Sequence, residues 1–260
     1  MSHARSAFLL TTLLLASCQK HEEVVAPTEP VVQAAPPAPV VVQEFLALKT
    51  QTVTWERIAP DCRKKDCAKA AASIVQFPDK PDLSSLVQEN LLALAEAGNP
   101  ARGENLQAFA DSFLKKSSRR HEAKLNATLL RQQGPLVAIQ LDADFYTGGA
   151  HGNPSSRYLN YDRHAEKLLV LDDVILDGQG PAFVQAEQEA HKAWMKAKGI
   201  DSSTQWPFKE NDNFTLDAEG VRIKYNAYAI APYSEGQPEL LIPYAALKGI
   251  LKPEWMLPAP

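Results

Sequence analysis

Apolar and polar positions alternate with a period of two from Ala123 to Leu129 and again from Val137 to Phe145, on either side of Gln133-Gly134-Pro135. Successive strand side chains point to opposite faces, so this pattern predicts a β-hairpin with one buried face. The other face of the second arm carries Gln140, Asp142, Asp144 and Tyr146. Upstream the spacing changes to three and four. Leu83, Leu86, Val87, Leu91 and Leu94 predict a helix over about 82–97, stopped by Gly98-Asn99-Pro100. Leu106, Phe109, Ala110, Phe113 and Leu114 predict a second over about 104–117, with Lys115, Lys116, Arg119 and Arg120 where cations suit a helix C-terminus.

Lys49 to Arg57 is rich in β-branched and aromatic residues and reads as a strand; Ala70 to Phe77 reads as its partner or, given its alanines, as a helix. Beyond the hairpin, a strand is expected at 157–161, a turn at 162–167 and a returning strand at 168–171. A helix follows from Pro181 to its stop at Gly199, striped by Phe183, Ala186, Ala190, Trp194 and Ala197; His191 and Trp194 are expected in packing or at the surface. Short strands at 213–216, 221–225 and 240–242 and a helix from Pro243 to Leu251 complete the chain. The fold class is α+β, antiparallel sheets with packed helices.

Composition narrows the possibilities. With 260 residues and 45% hydrophobic content, the chain can bury one sizeable core or two modest ones. A net charge of −4 and a pI of about 5.9 argue against nucleic acid as partner, because phosphate binding needs a concentrated basic surface. Arg5 followed by the apolar run Ala7 to Ala16 has the make-up of a secretory signal and is too short to span a bilayer. Its end, Leu15-Ala16-Ser17-Cys18, resembles the lipobox of bacterial lipoproteins. That resemblance implies cleavage after residue 17, lipidation of Cys18 as the membrane anchor and, with Gln19 next, an outer-membrane location facing the periplasm; a plain secretory signal is the competing reading. Residues 18–43 hold Pro27, Pro30, Pro36, Pro37 and Pro39 and read as an extended tether. Cys62 and Cys67 remain as an even pair, expected to form a disulfide in an oxidising compartment. Their surroundings offer only carboxylates as further ligands, so neither metal nor cofactor is expected.

The densest candidate chemistry is Tyr146-Thr147-Gly148-Gly149-Ala150-His151-Gly152-Asn153, a glycine-rich loop with a tyrosine and a histidine. Glycines let backbone approach backbone or ligand, which suits a binding loop; a turn closed by His151 is the structural alternative. His151 as general base, oriented by Asp142 or Asp144, would suit a hydrolase acting on cell-wall polysaccharide. The sequence has no Gly-x-Ser-x-Gly elbow and no His-Glu-x-x-His motif. A metal site from His151, Asp162 and His164 is a weaker reading.

Tyr146 to Gly152, Tyr158 to Asp162, Leu171-Asp172-Asp173, Tyr228 to Gly236 and Ile242-Pro243-Tyr244 together resemble the RsiV-like domain family, found in a lysozyme-sensing anti-sigma factor and in PdaC-type peptidoglycan deacetylases. The resemblance runs from about His121 to Leu251. Residues 53–114 resemble, more loosely, the smaller domain that precedes it. The implied organisation is a signal peptide (1–17), a tether (18–43), a small α+β subdomain (44–120) and an RsiV-like domain (121–260). Neither a sigma-binding segment, a transmembrane helix nor a deacetylase domain is recognisable, so the expected function is a binding module for a lysozyme-type muramidase or for peptidoglycan. The expected ligand-binding residues are Tyr146, Thr147, Gly148, Gly149, His151 and Asn153 from one loop, and Tyr228, Tyr233 and Glu235 from another.

Overall fold

The alternating hairpin becomes the centre of the molecule. In the computed structural model, which describes residues 45–63, 65–201 and 205–257, β3 (Glu122–Gln133) and β4 (Leu136–Tyr146) pair antiparallel, with a register shift between Leu129 and Arg131. Six strands form the main sheet in the order β1-β2-β3-β4-β5-β6, with β1 at Gln51–Ile58, β2 at Lys69–Gln76, β5 at Asn153–Asp162 and β6 at Lys167–Leu168. A second sheet of three antiparallel strands holds β7 (Phe214–Leu216), β8 (Gly220–Lys224) and β9 (Glu239–Pro243). The α+β class stands. The signal segment 1–17, Cys18 and the tether lie outside the described residues.

One strand pair departs from an antiparallel layout. β2 and β3 run parallel, Ala70 opposite Ala123 and Ile74 opposite Ala127. A parallel pair needs a crossover, and the helices α1 (Pro81–Ala97) and α2 (Leu106–Lys116) supply it. Residues on the two sides of position 120 therefore share one sheet and one core. Leu83, Val87, Leu91 and Ala95 of α1 and Phe109, Ala110 and Phe113 of α2 pack against Val137, Ile139, Leu141, Ala143 and Phe145 of β4. Full burial of each such large apolar side chain contributes about 1.5–3 kcal/mol.

The opposite face of β4 begins a second core. Leu136 and Ala138 join Phe183, Phe214, Val221, Ile223, Leu240 and Ile242, so both faces of β4 are covered at its start. α4 (Gly180–Lys198) closes this core, with Pro181 in its first turn and Gly199 capping it at φ 65°. Its buried stripe is rotated from the apolar one in the sequence: Phe183, Glu187, His191 and Met195 face inward, while Ala186, Ala190 and Trp194 are only partly buried. Two other expectations are corrected. The returning strand is only two residues long, because Leu171 opens the single-turn helix α3 (Leu171–Val174), where the Asp173 carboxylate accepts from the Val170 amide. After Pro243 there is a 3-10 turn, Tyr244–Leu247, rather than a helix to Leu251. The β1–β2 connection carries the Cys62–Cys67 disulfide, with Cα atoms 5.7 Å apart.

Candidate functional site

β4 ends at Tyr146 and β5 begins at Asn153, which stands opposite Phe145 in the ladder, so the glycine-rich loop is the tip between two central strands. Gly148 (φ 98°) and Gly149 (φ 94°) hold left-handed backbone there that other residues rarely adopt. The Tyr146 hydroxyl donates to the Gly149 carbonyl at 3.1 Å, and Thr147, Gly148, Gly149, His151 and Asn153 are exposed. The tip is ordered by its own hydrogen bonds, and its outer residues face solvent.

The second expected loop meets the first. His151 stacks on Tyr233, ring centroids 3.7 Å apart and planes 24° apart, and Tyr228 lies 5.3 Å from Tyr233 and 6.2 Å from His151. Tyr233 donates its hydroxyl to the Gly152 carbonyl at 3.0 Å, and His151 Nδ1 lies 2.8 Å from the same oxygen. A carbonyl only accepts, so the hydrogen of this contact sits on Nδ1. Tyr228 is 53% exposed and holds φ 65°. Three rings from two loops thus form a shelf open to solvent, with one tyrosine in a backbone conformation that non-glycine residues seldom adopt. Glu235 lies at its edge, paired with Lys198 of α4 at 3.0 Å.

The two acids behind the loop differ in their surroundings. Asp142 accepts from Gln140 Nε2 at 2.9 Å on each oxygen and from the Ser156 hydroxyl. Asp144 places Oδ1 in a buried position without a hydrogen-bond partner among the described residues, close enough to Gly152 that a Cβ there would lie 2.8 Å away. No hydrogen bond joins His151 to either acid among the described residues, so the ring lacks the carboxylate orienter that a catalytic base would use. Asp162 accepts from the backbone amide of His164, and no cluster of three or more metal-binding side chains occurs among the described residues.

Sequence reasoning missed the support behind the shelf. Glu187 and His191 of α4 are buried, and His191 donates to the backbone of Ile230, which lies between Tyr228 and Tyr233. Their signal was positional: both fall at four-residue steps between Phe183 and Met195. A separate cleft of about 380 Å³ is lined by Tyr158, Asp217, Arg222 and Glu239 among others. There Arg222 pairs with Asp217, with Glu219 at 3.1 Å and with Glu239 at 3.2 Å, and burial together with the Glu239 hydrogen bond pushes the Tyr158 phenol up. Arg222 is thus held among three carboxylates.

Comparison with known proteins places this architecture. A model of the DUF3298 family, described as a protein of unknown function, matches residues 172–245. The crystal structure of a DUF3298 family protein from Pseudomonas aeruginosa PAO1 is 36% identical and superimposes with a TM-score of 0.75, covering 82% of this chain and 98% of that one. This chain belongs to the DUF3298 family. A DUF3298 member from Bacteroides fragilis NCTC 9343, 19% identical, shares the fold with a TM-score of 0.61 over 79% of this chain and 94% of its own. The peptidoglycan-N-acetylmuramic acid deacetylase PdaC of Bacillus subtilis strain 168 is 24% identical over 147 residues, 54% of this chain. That match spans 31% of the deacetylase. The DUF3298 model takes in Tyr228, Tyr233, Glu235, Glu187 and His191, while the glycine-rich tip lies before it.

Proposed function

We propose that this DUF3298 protein is a binding module of the bacterial cell envelope that takes cell-wall glycan on the shelf formed by His151, Tyr233 and Tyr228. The aromatic cluster carries this reading: exposed Tyr228 beside the stacked His151 and Tyr233 offers apolar ring surface next to polar groups, which suits the apolar face and hydroxyls of a sugar. The partial likeness to a peptidoglycan deacetylase supports a cell-wall role. His151 spends its Nδ1 hydrogen on Gly152 and has no acid partner among the described residues, which favours capture over hydrolysis.

Calorimetric titration of the Gln43–Pro260 unit with peptidoglycan fragments tests the proposal, with hen lysozyme titrated in parallel to ask whether the shelf takes a muramidase-type protein instead. Saturable glycan binding is expected, weakened about fivefold by Tyr228→Ala, the effect of losing ~1 kcal/mol of aromatic contact. Flat glycan titrations of folded protein would sink the reading.

The same proposal anchors the protein through a lipid on Cys18, at the outer membrane and facing the periplasm. Metabolic labelling with palmitate should mark the protein and be lost in Cys18→Ser; label that persists in the variant rejects the anchor.

A further inference from the structure

α4 presents two titratable side chains on its buried face, one turn apart: Glu187, 1% exposed, and His191, 4% exposed. Tyr225, which follows β8, brings its hydroxyl 2.5 Å from Glu187 Oε1 and 2.7 Å from the Lys209 carbonyl. A phenol has one hydrogen to donate, and the carbonyl can only accept. Both contacts are fully made when Tyr225 donates to Lys209 and a protonated Glu187 donates to Tyr225. Burial acts in the same direction, lifting the Glu187 carboxyl to about 7 although Tyr225 and the Asn211 amide could each donate to the charged form, while nearby Glu210 adds to the rise.

His191 is uncharged for a parallel reason. Its ring donates to the Ile230 backbone, and Nε2 has no partner among the described residues, so the donating nitrogen is Nδ1. A charged ring would bury a second N–H without an acceptor, and burial holds the imidazole below its ordinary value. Phe208 packs beside it, ring centroids 5.9 Å apart. On the other elements packed against α4, Glu239 faces Arg222 and Tyr158, and Tyr244 donates to the Asp217 carbonyl, so neither faces the pair. Lys198, at the end of α4, pairs with Glu235.

We propose that Glu187 and His191 are positioning residues for the aromatic shelf, a buried acid and a buried imidazole that clamp the Tyr225–Gly236 segment to α4 through Tyr225 and Ile230. The inference rests on the shelf being the ligand site. When the segment opens, Glu187 returns toward 4.5 and His191 toward 6.5, their ordinary values. Opening then releases a proton from Glu187 and is favoured as pH rises between about 4.5 and 7. Opening takes up a proton on His191 and is favoured as pH falls below 6.5. Below 6.5, down to the lowered value of His191, the two tendencies oppose each other.

Amide hydrogen exchange of the full-length protein, followed by mass spectrometry over residues 225–236 and divided by the intrinsic rate at each pH, tests this without ligand. Just below pH 6.5 the wild-type protein should vary less with pH than either variant. Glu187→Gln should exchange faster as pH falls below 6.5, and His191→Gln faster as pH rises from 4.5 toward 7, the latter approaching about tenfold per pH unit. Variants that follow the wild-type course overturn the proposal. Should either fail to fold, Tyr225→Phe removes only the hydroxyl and must raise exchange over 225–236 about fivefold relative to α1; unchanged exchange overturns it equally. Peptidoglycan-fragment titrations of the same proteins separate the two readings. Flat titrations with opposed exchange profiles reject the glycan site and keep the clamp, whereas binding with parallel profiles does the reverse.

Discussion

Gly220→Ala is expected to lower stability by about 3 kcal/mol, the upper part of the range for forcing extra atoms into a packed interior. Gly220 opens β8 opposite Pro243 of β9, and a Cβ there would lie 2.0 Å from the Ile242 carbonyl oxygen and 2.8 Å from its carbon. The obstruction is backbone, so no side chain can swing aside. Relief requires β8 and β9 to separate, which disturbs the packing of Val221, Ile223, Leu240 and Ile242 in the second core. For a unit of this size that corresponds to a fall in Tm of about 6–12 °C. Gly180→Ala is the control: nothing lies within 4 Å of its Cβ position, and alanine in the first turn of α4 is expected to be neutral or slightly stabilising. Equal melting temperatures for Gly220→Ala and wild type would refute the close approach of β8 and β9.

What the sequence shows well is the local pattern. The β3–β4 hairpin reads directly from period two, because one face of each arm is committed to a core. α1 and α2 read equally directly from their apolar stripes and from the Gly98-Asn99-Pro100 stop. Residue patterning does not encode which strands become neighbours across a crossover. Nothing in Lys69–Gln76 says that it will pair in parallel with Glu122–Ala127, since the pairing depends on how α1 and α2 pack.

α4 shows a different limit. An apolar stripe through Phe183, Ala186, Ala190 and Trp194 is present in the sequence, yet the helix turns Glu187 and His191 inward because partners for them arrive from distant segments: Tyr225, the Asn211 amide and Ile230. A polar residue on a helix is read as solvated until its partner is known. For the shelf, the two loops are legible from their glycines and tyrosines, but the stacking of His151 on Tyr233 depends on the second sheet carrying residues 228–235 back to the β4–β5 tip.

Tyr233 separates ring from hydroxyl. It contributes the central ring of the shelf, touching both His151 and Tyr228, and its hydroxyl ties the second loop to the Gly152 carbonyl. Tyr233→Ala removes both, and the loss expected in peptidoglycan-fragment affinity is about 2 kcal/mol, or about thirtyfold, as for an anchor residue at the centre of an interface. Tyr233→Phe keeps the stack and loses one hydrogen bond to a carbonyl that His151 Nδ1 still reaches, so the expected loss is about 1 kcal/mol or less. The order matters more than either value. A phenylalanine variant that binds nearly as well as wild type, beside an alanine variant that does not bind, assigns affinity to the aromatic face. If phenylalanine is as damaging as alanine, the hydroxyl and the loop geometry it fixes are what the ligand reads. Equal affinity in all three proteins would remove the shelf from the binding site altogether.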